Sequence, residues 1–147
     1  MSYRVLFIDE DLEAVRGYIK VLELLGCDVT HCRTTDDALT EVRAWCPSII
    51  VLDLMMPTGS LYTSKQTDDG VHTGIALYGD LRRLRPEVPV IILTNLPNPA
   101  TWMQRRAPEE HVRVLRKPDY PPFDFAAVVA ALLGITLPDS VRAVMRK

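Results

Sequence analysis

Residues 48–57 read SIIVLDLMMP, and the interpretation of this stretch decides the fold. Ser48 to Leu52 is nearly continuous in apolar side chains and too short for a helix, as expected of a strand buried on both faces. Strands of that kind belong to parallel sheets covered by helices. Outward from this run the pattern repeats. Upstream, Val5-Leu6-Phe7-Ile8 is another short run of strand formers. Leu12, Val15, Ile19 and Leu22 then recur at steps of three and four, with Gly26 as a stop, which predicts an amphipathic helix. Cys27 to Cys32 alternates as a strand, and Thr34 or Thr35 can cap a helix carrying Ala38, Val42 and Trp45, which ends before Pro47.

Downstream, Val71, Ile75, Tyr78 and Leu81 supply a helical face and Val90 to Leu93 a strand. Pro97, Pro99 and Pro108 confine a short helix around Trp102 and Met103. His111 to Leu115 predicts the fifth strand, and Phe125, Val128, Val129 and Leu132 a helix ending at Gly134. The tail, 134–147, has room for one short helix capped by Asp139 or Ser140, with Val141, Val144 and Met145 on one side. Between the third strand and the next helix, residues 58–70 (TGSLYTSKQTDDG) are polar and aperiodic, a loop longer than the usual two to six residues. The alternation predicts an α/β fold: a doubly wound, five-stranded parallel sheet with helices on both faces.

Length and composition set the limits. A chain of 147 residues, 48% hydrophobic and 24% charged, is expected to form one domain with its own core. Seventeen basic against nineteen acidic side chains give a formal charge of −2 and no basic stripe, so nucleic acid is not the expected partner. Cys27, Cys32 and Cys46 are odd in number and lack CxxC spacing, which fits a reducing compartment. His31, His72 and His111 are scattered and form no zinc pattern. The first residues, MSYRVLFIDED, reach carboxylates too soon for a signal peptide, and nothing approaches the roughly 20 apolar residues of a membrane span. A cytoplasmic protein is expected.

In an open parallel α/β sheet, ligands bind beyond the carboxyl ends of the strands. Those positions hold Asp9, Glu10 and Asp11 after the first strand, Asp53 after the third, Thr94 and Asn95 after the fourth, and Lys117 after the fifth. Converging carboxylates repel unless a positive group lies between them. Magnesium, a hard cation held by one or two carboxylates plus waters and phosphate oxygens, is the simplest answer. A carboxylate beside it can act as a nucleophile toward phosphorus, with Lys117 and Thr94 donating to the equatorial oxygens. Taken singly, each residue has a plainer explanation: a helix-dipole partner for Asp9 to Asp11, a turn acid for Asp53, a loop hydroxyl for Thr94, a solvated charge for Lys117. Their coincidence at the ends of different strands favours a shared site.

VLFIDED at 5–11, IIVLDLMMP at 49–57, VIILTN at 90–95 and LRKP at 115–118 together resemble the receiver domain of two-component response regulators. The resemblance covers residue 3 to about residue 133 and implies the flavodoxin-like strand order 2-1-3-4-5. It implies that Asp53 is the phospho-acceptor, that Asp9 and Glu10 organise Mg2+, and that Met55 contributes its backbone carbonyl to the metal. Thr94 matches the switch hydroxyl, and Lys117 the lysine that contacts the phosphoryl group. The implied phosphoryl source is a sensor histidine kinase or phosphotransfer protein, and the output is binding of a downstream protein. Such a chain is a signalling switch that catalyses only its own phosphorylation and dephosphorylation.

The match has departures. The 58–70 loop exceeds the family's usual link by roughly ten residues, although Asp69-Gly70 resembles the Asp-Gly that normally ends it. Asn95 stands where the family has a small residue, and Val114 where many members carry an aromatic side chain. A receiver-like interaction module that works without phosphorylation is therefore the alternative. A hydrolase of the haloacid-dehalogenase type would need a second aspartate two residues after the nucleophile, where this chain has Met55. Residues 134–147 are too few for an output domain, so the expectation is a stand-alone receiver or the front of a longer protein.

Overall fold

The central apolar runs of the sequence become strands because both of their faces find hydrocarbon. The computed structural model describes residues 2–56, Gly59, 73–99 and 111–145. Five parallel strands, β1 (Arg4–Ile8), β2 (Asp28–Cys32), β3 (Ile49–Leu52), β4 (Val90–Thr94) and β5 (Val112–Arg116), lie in the order β2-β1-β3-β4-β5. Successive side chains point to opposite faces. Val5, Phe7, Ile49, Val51, Ile91 and Leu93 therefore enter one core, and Leu6, Ile8, Ile50, Leu52, Val90 and Ile92 the other.

Helices α1 (Leu12–Leu24) and α4 (Pro122–Leu133) close the first core with Val15, Leu22, Phe125 and Val129. Helices α2 (Thr35–Ala44) and α3 (Thr73–Leu84) close the second with Ala38, Val42, Leu77, Tyr78 and Leu81. Burying one such aliphatic or aromatic side chain contributes about 1.5–3 kcal/mol. Two sequence-derived choices resolve cleanly. Thr34, not Thr35, caps α2 by accepting from the Asp37 N–H at 3.1 Å. Gly134 ends α4 in the left-handed region at φ 71, which lets the Ile135 N–H reach back to the Ala130 carbonyl at 2.8 Å.

Other expectations shift. The inward face of α3 is Thr73, Gly74, Leu77, Tyr78 and Leu81, while Ile75 is only half-buried. Tyr78 and Leu81 face the core as the pattern predicts and Ile75 packs at its edge, but a glycine carries no hydrophobic signal, so Gly74 on the buried face went unmarked. β5 starts at Val112 rather than His111, whose carbonyl accepts from the Val90 N–H at 2.7 Å. The tail forms α5 (Asp139–Met145), with the Pro138 carbonyl, not an Asp139 or Ser140 side chain, accepting from Val141 and Arg142 at 3.0 Å. Val141 is buried, but Val144 is 47% exposed, so the expected apolar side reduces to Val141 among the described side chains. Apart from Gly59, the 58–70 loop lies outside the described residues, as do Val71 and the short helix around Trp102 and Met103.

Gly74 is what lets α3 approach the end of β3. Its N–H donates to the Leu54 carbonyl at 2.8 Å, and a Cβ there would sit 2.3 Å from the Leu54 Cα and 2.4 Å from the Asp53 carbonyl oxygen. Both obstacles are backbone and have no rotamer to yield. Gly74→Ala is expected to destabilise the fold by about 3 kcal/mol in urea denaturation. Gly17→Ala, whose Cβ would meet only the Pro122 ring at 3.3 Å, should stay within about 1 kcal/mol of the unaltered chain. Equal effects of the two substitutions would refute the role given to the α3 contact.

Candidate functional site

The parallel register gathers the residues that follow β1, β3, β4 and β5 at one edge. Ile8 pairs with Leu52, so Asp9 and Asp53 emerge side by side. Thr94 ends β4 opposite Arg116, and Lys117 follows directly. Asp9, Glu10, Asp53, Met55, Thr94 and Lys117 line one cavity of about 220 Å³, together with Asp11, Ala14 and Asn95. All six candidate residues therefore meet.

The arrangement is mostly dry. Asp9 is 2%, Asp53 8% and Thr94 0% exposed. The Lys117 ammonium lies between the two carboxylates, 2.8 Å from Asp9 Oδ2 and 3.4 Å from Asp53 Oδ2. Asp53 Oδ1 accepts from the Met55 N–H at 3.1 Å, and Thr94 lines the same cavity. Thr94 Oγ1 accepts from the Leu96 N–H at 3.3 Å. Asp9 Oδ1 accepts from the Asp11 N–H at 2.9 Å. Asp11 turns its own side chain to the Ala14 N–H at 3.1 Å and caps α1. Of the acids after β1, then, Asp11 serves the helix, while Asp9 faces Lys117.

Burial pushes the Asp53 carboxyl above its ordinary 3.8, and the negative charge of Asp9 adds to this, against the opposing pull of Lys117, Thr94 and the Met55 N–H. For Lys117, burial acts downward, but the hydrogen bond to Asp9 and the charges of Asp53 and Asp9 outweigh it and hold the ammonium above 10.5. The site thus keeps a permanent cation and an aspartate whose ionisation is opposed. Lys117 does not neutralise Asp9, Glu10 and Asp53 together, and their oxygens with the Met55 carbonyl are hard donors suited to Mg2+. Among the described residues no three His, Cys, Asp or Glu side chains enclose a common point. Mg2+, which keeps several waters and needs only one or two carboxylates, suits such a set.

β2 contributes residues that the sequence reading did not single out. His31 Nε2 lies 2.7 Å from the Asp9 carbonyl and, facing an acceptor, must carry the proton. Arg33 Nε donates to the Glu10 carbonyl at 3.0 Å, and the Asp9 N–H donates to the Cys32 carbonyl at 3.0 Å. The acidic turn is therefore clamped along its backbone by the end of β2. Arg33, the first residue after that strand, was open to the same strand-end argument that found the others; His31 lies inside the strand and carried no such signal.

The sequence matches the family description "response regulator receiver domain" over residues 5–120. Among solved structures it is similar to a CheY-like response regulator receiver domain protein from Methanospirillum hungatei JF-1, at 18% identity and TM-score 0.72, covering 91% of this chain and 95% of that one. It is similar to the receiver domain of the Francisella response regulator 1452, at 25% identity and TM-score 0.67, covering 90% and 98%. It is also similar to NtrX from Brucella abortus, at 17% identity and TM-score 0.70, covering 99% of this chain and 29% of that one. No curated protein matches the sequence. Among the described residues no helix is long and apolar enough to cross a membrane.

Two outcomes follow from the electrostatics. Folded Asp53 holds its proton more tightly than the unfolded chain, so its ionisation destabilises the fold as pH rises from 3.8 through the folded value. Asp53→Asn is expected to be more stable than the unaltered chain at pH 7, with the gap closing toward pH 4 in urea titrations; a gap independent of pH would contradict the assignment. Lys117→Met leaves Asp9 and Asp53 facing each other and should lower stability by about 3 kcal/mol in metal-free buffer. Millimolar MgCl2 should recover part of that loss, read as a rise in melting temperature.

Proposed function

This chain belongs to the response regulator receiver domain family, matched over residues 5–120, and from that premise we propose that it is a switch phosphorylated on Asp53. The observation that carries the reading is the Lys117 ammonium between Asp9 and Asp53, with Thr94 lining the same cavity. The family is one of two-component signalling. The proposed donor is a phosphohistidine on a sensor histidine kinase or phosphotransfer protein, and the proposed output is altered binding of a downstream protein. The receiver unit is assigned to residues 1–133.

In the proposed transfer an ionised Asp53 oxygen attacks phosphorus, the P–N bond to the donor histidine breaks, and the imidazole leaves with the electron pair and takes a proton. An acyl phosphate on Asp53 results. Lys117 compensates charge as it builds on the phosphoryl oxygens, and the Thr94 hydroxyl turns toward one of them. Asp9, Glu10, Asp53 and the Met55 carbonyl are the donors that would hold Mg2+, which supplies neutralisation of phosphoryl charge when bound. The Met55 N–H and Lys117 also oppose the upward push of burial on Asp53 and so favour the ionised nucleophile. Val114 is half-buried against the α2/α3 core. It offers no aromatic ring to follow Thr94, so transmission is assigned to Thr94 and the Leu96 N–H bonded to it. Free thiols at Cys27, Cys32 and Cys46 support a reducing, cytoplasmic setting.

Intact mass after incubation with a small-molecule phosphoryl donor tests the reading. With Mg2+ the chain should gain the mass of one phosphoryl group, and Asp53→Asn should gain none. Without Mg2+ the gain should fall by at least about tenfold, on the scale of several kcal/mol of lost charge stabilisation. Absence of any gain would select the phosphorylation-independent interaction module instead.

A further inference from the structure

Tyr18, in the middle of α1, is buried at 7% exposure with its ring edge-on to Phe125, the centroids 5.3 Å apart at 89°. Its neighbours on the buried face of α1 are Val15, Val21 and Leu22, which a phenylalanine would match for packing. The hydroxyl is what differs. It lies 2.8 Å from the Tyr120 carbonyl and 3.2 Å from the Lys117 carbonyl, donating to the first and sharing its proton with the second. Those carbonyls bracket the 3-10 turn Lys117–Asp119, whose one internal closure is the Tyr120 N–H to the Lys117 carbonyl at 3.2 Å. The turn follows β5, which among the described residues is an edge strand bonded to β4 on one side.

We propose that Tyr18 is a positioning residue whose hydroxyl ties the turn after β5 to α1 and thereby sets the Lys117 ammonium between Asp9 and Asp53. A lysine side chain is long and flexible, so where its ammonium rests depends on where its backbone is held. Lys117 Nζ sits 2.8 Å from Asp9 but 3.4 Å from Asp53, so a small displacement of the turn breaks the longer contact first. Burial raises the Tyr18 hydroxyl above 10.0 despite the nearby Lys117 charge, so it stays a donor at neutral pH. The inference rests on the proposed role of Lys117 for its functional meaning, although the tie itself is independent of phosphorylation.

The test compares Tyr18→Phe, which removes only the hydroxyl, with Val129→Ala, which loosens the same core and leaves the tie intact. Two quantities are read: the Lys117 ammonium signal in 15N-lysine-labelled protein without any donor, and the rate of phosphoryl gain with Mg2+ at fixed small-molecule donor. Tyr18→Phe should lose or shift the ammonium signal and slow phosphoryl gain about tenfold. Val129→Ala should lower the melting temperature at least as far while keeping both. A Tyr18→Phe variant with an unchanged ammonium signal and rate overturns the inference, as does loss of both in Val129→Ala. If the unaltered chain gains no phosphoryl group, the ammonium signal decides alone: its loss in Tyr18→Phe upholds the positioning role while the acceptor reading fails.

Discussion

An ammonium held between two buried carboxylates is the constraint around which this molecule is arranged. Asp9 and Asp53 are nearly removed from water and stand on neighbouring strands, where their mutual repulsion would oppose folding. Lys117 reduces that repulsion, and the upward direction of its own titration shows that attraction to Asp9 and Asp53 outweighs its burial. Asp53 is nevertheless pushed toward its neutral form, chiefly by its burial. With Asp9, Glu10 and Asp53 around one cavity and Lys117 as the cation among them, the lining keeps an excess of negative charge.

Holding three charges within hydrogen-bond reach requires rigid strand ends, and the two-core sheet provides them. β1 and β3 are buried on both faces, so a slide by one residue would exchange side chains between two packed cores and draw a charged strand-end residue into hydrocarbon. That register lock is what delivers Asp9 and Asp53 side by side. Gly74 then permits α3 to rest directly on the Asp53-Leu54 backbone, and β2 fixes the Asp9-Glu10 turn through His31, Arg33 and the Cys32 carbonyl. The Asp53-Leu54 segment and the acidic turn are thus held largely by contacts to their backbone, apart from the bonds their carboxylates make.

The strands and the charged residues were legible in the sequence for the same reason. A doubly buried strand is a run of apolar letters, and the first polar letter after it marks the site edge; Asp9, Asp53 and Thr94 satisfy that rule, and Lys117 comes one residue later, after Arg116. Gly74 was not legible, because a contact made possible by a missing side chain leaves no hydrophobic mark, and the Asp69-Gly70 pair drew attention four positions away, outside the described residues. Tyr18 was hidden in a helical face, where its ring explains its presence and the hydroxyl's partners lie 99 and 102 residues further along the chain. His31 was hidden in a strand alternation in the same way. The reading found side chains that act at strand ends and missed those that act through a distant backbone carbonyl.

The site also straddles the two cores, and this bears on how a charge placed on Asp53 would be felt. The Lys117 turn is bound to the α1/α4 side through Tyr18, whose ring is gripped by Phe125. Thr94 belongs to the opposite arrangement: its hydroxyl accepts from the Leu96 N–H, and Leu96 packs into the α2/α3 core. On the first side, displacing the lysine would strain a buried tyrosine contact and a helix. On the second, redirecting one hydroxyl needs a side-chain rotation and the loss of a 3.3 Å bond to a backbone N–H. The softer response is therefore on the β4 side. If Asp53 is phosphorylated, the displacement should pass through Thr94 and Leu96 toward the segment after β4, while Lys117 stays as the fixed point against which that segment moves.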